Sequence, residues 1–179
     1  MRIIGGKNKG YHFQPPKVMP ARPTTDFAKE GLFNIIQNNF DFEEVKFLDL
    51  FGGTGSISYE MASRGCTDLT CVELDRMMVK FIQGNCDKLK ISDHIQVIPQ
   101  DVFRFMLSCI EKYDLIFAGP PYPLPNLDTI PDRLFERELL APGGWFILEH
   151  NPNHHFDEHP KFLKKRNYGT TIFSIFTTE

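Results

Sequence analysis

Asp49-Leu50-Phe51-Gly52-Gly53-Thr54-Gly55-Ser56 follows an apolar run that begins at Val45 and opens an amphipathic one. That order reads as a buried strand, a glycine-rich turn and a helix. Glycines at a strand-to-helix turn let the backbone pass close to a ligand, where a Cβ would collide. The acid at the strand tip separates this turn from a phosphate cradle. A carboxylate there repels a pyrophosphate and suits a ligand that carries an ammonium group.

The pattern around this turn is regular. Val45–Phe51, Leu69–Glu73, Ile95–Ile98, Tyr113–Ala118 and Trp145–Glu149 read as strands. Helices are expected over Ser56–Arg64, over 76–90 with Met78, Phe81, Ile82 and Leu89 on one side, and after Asp101. In that last helix Val102, Phe105, Met106, Cys109 and Ile110 fit the i, i+3, i+4, i+7, i+8 pattern. An earlier helix follows the capping types Thr24, Thr25 and Asp26, with Phe27, Leu32, Ile35 and Ile36 as its apolar face. Two β-rich segments, Phe162–Tyr168 and Thr171–Thr177, end the chain with no helix between them. They must pair as an antiparallel hairpin. Alternating β and α predicts a doubly wound, mostly parallel α/β sheet of seven strands, helices on both faces, finished by that hairpin.

A chain of 179 residues with 41% apolar and 24% charged content is an ordinary soluble globule, large enough to bury a core. No run of about 18 apolar residues is present, and the start lacks a secretory pattern, so a cytoplasmic protein away from membranes is expected. Cys66, Cys71, Cys86 and Cys109 have no C-x-x-C spacing and read as buried thiols, so no metal site is expected. The net charge of −3 is uninformative, but its distribution is not: Met1–Thr25 contains no acid and carries Arg2, Lys7, Lys9, Lys17 and Arg22. Residues 2–13 read as two short strands around Lys7-Asn8-Lys9-Gly10, and prolines 15, 16, 20 and 23 make a stiff connection after them. Such a basic arm is suited to a polyanion, though charge alone equally describes a solvated terminus.

In a doubly wound sheet, ligands bind beyond the carboxyl ends of the strands. Glu73 ends the second strand about 20 residues past the glycine turn, where an acid accepts hydrogen bonds from both ribose hydroxyls. Asp101, at the third tip, is also a good N-cap for the helix behind it. The fourth tip is Gly119-Pro120-Pro121-Tyr122. Pro123, Pro125 and Pro131 follow in what reads as an exposed loop over a substrate entrance.

A doubly wound sheet with a terminal antiparallel hairpin resembles the class I S-adenosylmethionine-dependent methyltransferase fold. That resemblance implies an adenine amino group on Asp101. The fourth tip looks like the [D/N/S]-P-P-[Y/F/W] motif of amino-group methyltransferases, in which prolines hold a carbonyl acceptor and the aromatic ring stacks on a flipped base. Position 119 departs from the motif, because glycine supplies no side-chain acceptor. If that acceptor makes one transition-state hydrogen bond, its loss costs about 1–3 kcal/mol, or roughly 5–150-fold in rate. Backbone carbonyls of Gly119 and Pro120, or Glu149 at the fifth tip, are the candidates to replace it.

Nearly the whole chain resembles the bacterial 16S ribosomal RNA guanine-N2 methyltransferases. The similar segments are Met1–Gly6, Arg22-Pro23-Thr24-Thr25-Asp26, Glu30–Asn34, Asp49–Gly55, Ser63–Gly65, Val72–Asp75, Pro120–Tyr122 and Leu140–Gly144. The resemblance implies an arm over residues 1–25 that grips RNA through Arg2, Lys7, Lys9 and Arg22, and a methyltransferase domain over 26–179. It implies that S-adenosylmethionine is held by Thr24, Thr25, Asp49, Phe51, Gly52, Gly53, Gly55, Glu73, Leu74, Asp101 and Val102. Catalysis falls to Gly119, Pro120, Pro121 and Tyr122, on 16S ribosomal RNA or an assembling small subunit. A second basic cluster, Lys161, Lys164, Lys165 and Arg166, is either a phosphate contact or a solvated face. The alternatives are a DNA adenine or other amino methyltransferase, and an RNA-binding homologue weakened at Gly119. A nicotinamide enzyme is disfavoured by Asp49, by the lack of G-x-G-x-x-G and by the Pro-Pro-Tyr tip.

Overall fold

Phe47, Leu48 and Leu50 in one strand, and Leu115, Ile116 and Ala118 in another, have no exposed surface. Strands apolar on both faces need a covering layer on each side. The computed structural model, which describes residues 1–17 and 23–178, supplies both layers. Strands β1 (Lys46–Leu50), β2 (Asp68–Glu73), β3 (Ile95–Pro99), β4 (Tyr113–Ala118), β5 (Leu140–His150), β6 (Phe162–Tyr168) and β7 (Thr171–Thr177) form one sheet. Its order is β3-β2-β1-β4-β5-β7-β6. The first five strands are parallel, and β7 lies antiparallel between β5 and β6. Helices α1 (Asp26–Asn39), α2 (Ser56–Ser63) and α3 (Arg76–Leu89) pack on one face. Helices α4 (Val102–Ser108) and α5 (Ile130–Glu136) pack on the other. No helix among the described residues is long and apolar enough to cross a membrane.

Four expectations need correction. The segment after Tyr122 is not simply an exposed loop: a 3-10 turn, Leu127–Thr129, leads into α5, and Leu127, Ile130 and Leu134 are fully buried. Pro131 sits in the first turn of α5, where a missing N–H costs nothing, so the proline that suggested a loop is a helix start. Helix α4 stops at Ser108, and Ile110 is 93% exposed, because Cys109 turns extended toward β4. Phe27 is 67% exposed; Ala28, Lys29, Leu32, Phe33 and Ile36 make the buried stripe of α1. The N-terminal turn pairs through a single antiparallel bridge, Arg2 with His12, rather than two strands.

What fixes that N-terminal turn is a carboxylate. Glu60 on α2 is completely buried and accepts hydrogen bonds from the amides of Ile4 (2.9 Å) and Gly5 (2.8 Å) and from Arg64 Nε (3.0 Å). Lys29 of α1 reaches the same carboxylate at 3.3 Å and also donates to Arg2 O and Ser56 Oγ. Burial pushes the Lys29 ammonium below its usual range, and Glu60 opposes that shift. Ile3 and Phe13 then complete the core beneath. Removing one partner of such a buried pair costs about 3–5 kcal/mol, because the other charge is left unpaired. Glu60→Ala should therefore lower the melting temperature by on the order of 10 °C and speed tryptic cleavage at Lys7 and Lys9. Wild-type melting and cleavage rates in the variant would contradict this.

Candidate functional site

The strand order reverses between β1 and β4, and a cavity of about 390 Å³ opens there at the carboxyl ends of the strands. Its floor is the β1 turn. Phe51 adopts a left-handed φ of 62°, which a non-glycine residue holds only under constraint. A Cβ on Gly52 would meet Cys71 Sγ at 2.3 Å, so only glycine allows the turn to lie this close to β2. Asp49, 1% exposed, accepts a hydrogen bond from Ser58 Oγ at 2.7 Å. Burial, aided by the charge on Glu73, pushes its carboxyl up to about 7.

Glu73 fastens the turn from the second tip: Gly53 N donates to its Oε1 (2.8 Å) and Asp75 N to its Oε2 (2.7 Å). Each carboxylate oxygen can accept a second bond, so capacity for ligand hydroxyls remains. Asp101 lines the cavity and also caps α4, accepting from Arg104 N with Oδ1 at 3.0 Å. The two roles expected of Asp101 are thus compatible. At the fourth tip, Gly119 and Pro121 face the cavity, and Gly119 N donates to Leu50 O. Thr24 and Glu149 close the far wall. Glu149 is 4% exposed and accepts from the hydroxyls of Thr24 and of Tyr122, the latter at 2.9 Å. Burial raises its carboxyl above the usual range, and the two hydroxyls oppose that rise.

Of the expected cofactor residues, Thr24, Asp49, Phe51, Gly52, Gly53, Glu73, Leu74, Asp101 and Val102 line this cavity. Thr25 and Gly55 are not in its wall: Thr25 caps α1 through Ala28 N, and Gly55 is the left-handed N-cap of α2. Neither Pro120 nor Tyr122 is in the wall; Tyr122 reaches it through Glu149. Lys7 and Lys9 are exposed on the N-terminal turn, Arg2 pairs with Asp26 at 3.0 Å, and Arg22 lies outside the described residues. In the second basic cluster, Lys164 lies over the Trp145 ring and Lys165 pairs with Asp157. Sequence reasoning missed Phe103 and Leu124 in the wall. Phe103 was detectable, being one residue past Val102 in the first turn of α4; Leu124 carried no signal among its flanking prolines.

Asp49, Glu73, Asp75, Asp101 and Glu149 line the cavity, and no lysine, arginine or histidine does among the described residues. Such a wall repels phosphate and suits a ligand with a cationic end and several hydroxyl or amino donors. Leu74, Val102 and Phe103 add apolar side chains to the lining, a surface suited to the face of a flat ring. Among the described residues, no cluster of His, Cys, Asp and Glu side chains is arranged to hold a metal ion. A ligand whose ammonium group seats on Asp49 needs that carboxylate ionised, so the affinity of such a ligand should fall as pH drops through about 7. The folded-state value lies above the unfolded one, so the ligand-free fold gains stability as pH falls from about 7 toward 4. Asp49→Asn should flatten both dependences, raise the melting temperature near neutral pH by a few degrees and abolish measurable binding. Calorimetry and thermal denaturation read both outcomes; pH-independent wild-type affinity would refute the role of Asp49.

The chain aligns with the ribosomal RNA small subunit methyltransferase D of Buchnera aphidicola from Baizongia pistaciae at 31% identity, covering 94% of this chain and 90% of that protein. The protein of the same name in Escherichia coli K12 is 30% identical, over 83% and 71% of the two chains. A solved hypothetical protein of Thermus thermophilus superposes with a TM-score of 0.88 at 25% identity, over 99% of both chains. An RNA methyltransferase from Salinibacter ruber, solved with S-adenosyl-L-homocysteine, shares the fold at a TM-score of 0.68 and 16% identity, over 88% and 95%. The family profile described as conserved hypothetical protein 95 matches residues 1–177, and the chain belongs to that family.

Proposed function

We propose that this protein transfers a methyl group from S-adenosylmethionine to the exocyclic N2 of a guanine in 16S ribosomal RNA, free or in an assembling small subunit. The observation that carries the reading is a cavity lined by carboxylates, with no cation in its wall among the described residues, that reaches Gly119 and Pro121 of the Gly119-Pro120-Pro121-Tyr122 tip. The names of the Buchnera and Escherichia coli relatives supply the small-subunit RNA.

In this reading Asp49 holds the ammonium end of the cofactor, Glu73 the ribose hydroxyls, and Asp101 the adenine amino group between Leu74 and Val102. The cofactor supplies an electrophilic methyl group on a sulfonium. The chain's own part is positioning, which accounts for much of the acceleration of such a reaction. The prolines fix the carbonyls of Gly119 and Pro120 as acceptors for the amino protons, and the Tyr122 ring offers a stacking face for the extruded base. Thr24, held by Glu149, brings the start of α1 over the cavity. Arg2, Lys7 and Lys9, with Arg22, meet RNA phosphates along the N-terminal arm, in a cytoplasmic setting.

A specific observation, Gly119, keeps a second reading in view: an RNA-binding homologue that has lost catalysis. Mass spectrometry of modified nucleosides decides between them. Small-subunit RNA from a deletion strain should lack one N2-methylguanine that the plasmid-borne gene restores; unchanged N2-methylguanine would overturn the proposal. Lys7→Ala with Lys9→Ala should reduce the slope of log affinity against log salt by roughly 1.4–1.8. An unchanged slope in filter binding would remove the N-terminal turn from the RNA interface.

A further inference from the structure

Ala118 of β4 is in register with Leu148 of β5 in the parallel pair. The next residues along each strand are Gly119 and Glu149, so the two stand side by side at the strand tips, about 5 Å apart between backbones. Phe117 and Ile147 precede them by two residues and lie in the same hydrophobic layer. Residues two apart on a strand share a face, so Glu149 projects to the side that a side chain at 119 would take. A Cβ at 119 would meet the Phe117 ring at 3.1 Å, so that space is already crowded by the neighbour of the missing acid. The chain thus lacks a side-chain acceptor at the β4 tip and has a buried carboxylate at the same height, one strand over.

Glu149 has no cationic partner among the described residues. Its bonds come from the hydroxyls of Thr24 and Tyr122, and it lines the cavity with Gly119 and Pro121. The other ionisable groups in the wall are the acids Asp49, Glu73, Asp75 and Asp101; the adjacent His150 turns to Ser174 and Asn151 O instead. A carboxylate buried beside Gly119, met by two hydroxyls and by no cation among the described residues, is costly to keep ionised, which points to a role in the reaction.

We propose that Glu149 takes over the function of the absent acid at position 119, accepting a proton of the guanine amino group as that nitrogen is methylated. This rests on the proposed function and assigns its proton acceptor. As the N2–carbon bond forms, the carbon–sulfur pair returns to sulfur, and N2 sheds one proton to the Glu149 carboxylate, which later releases it to water. The Thr24 and Tyr122 hydroxyls are positioning groups that steady the carboxylate, and through it Tyr122 beside the acceptor base.

The test combines single-turnover methyl transfer to undermethylated small-subunit particles with calorimetry of S-adenosylmethionine and thermal melting. Glu149→Gln should keep the cofactor dissociation constant within about twofold while the transfer rate drops roughly 10–150-fold. With cofactor saturating at every pH, which removes the Asp49 dependence of binding, the wild-type rate should decline on acidification as Glu149 becomes protonated; the Gln variant should lose that limb, and Glu149→Asp should keep it with an intermediate rate. Tyr122→Phe and Thr24→Val should each cost less than Glu149→Gln. A Gln variant as fast as wild type, one that loses cofactor binding in parallel, or hydroxyl variants as slow as Glu149→Gln would each overturn the assignment. A wild-type protein that binds cofactor yet methylates no ribosomal RNA would defeat the proposed function itself, which the Gln comparison keeps distinct.

Discussion

Reversal of strand order between β1 and β4 is the constraint from which the site follows. Chains leaving these neighbouring strands turn to opposite faces of the sheet, α2 to one and α5 to the other, so no helix covers the gap between the tips. The crevice is lined mainly by the strand ends and the residues just past them, with Thr24, ahead of α1, added from outside the sheet. In this chain the strand ends contribute a glycine turn, Gly119 and Pro121 at the fourth tip, and a set of acids. The fold supplies the crevice, and short polar segments supply its chemistry.

The acids in that crevice are divided by environment. Glu73 and Asp101 are fastened by backbone amides, so each holds a loop in place while lining the cavity. Asp49 and Glu149 are more deeply buried and are met by hydroxyls rather than cations, so burial raises both carboxyls. Glu60, equally buried, differs because Lys29, Arg64 and two amides surround it, and it serves to fix the N-terminal turn. A buried carboxylate with full pairing builds structure here, whereas the weakly paired ones line the cavity.

Much of the architecture was legible in the sequence, because the signals were local. Tyr113–Ala118, Phe162–Tyr168 and Thr171–Thr177 appear at the bounds expected from their apolar runs. Asp49, Glu73 and Asp101 were found because a strand tip can be located from the run before it. The helix α5 was hidden by prolines that signal loops in general but fit a first helical turn. The Glu60 cluster and the Thr24–Glu149–Tyr122 contacts were illegible for a different reason. Thr24 and Glu149 lie 125 residues apart, and no periodicity encodes a hydrogen bond over that span.

The central claim is that a sulfonium nucleoside lies across these tips with its reactive end toward Gly119 and Glu149. A crystal structure with S-adenosylhomocysteine tests it most directly. The account predicts the amino-acid end at Asp49, ribose hydroxyls on Glu73, the adenine amino group at Asp101, and sulfur facing the Pro120-Pro121-Tyr122 tip. A nucleoside bound elsewhere, or one whose sulfur points away from that tip, would contradict it.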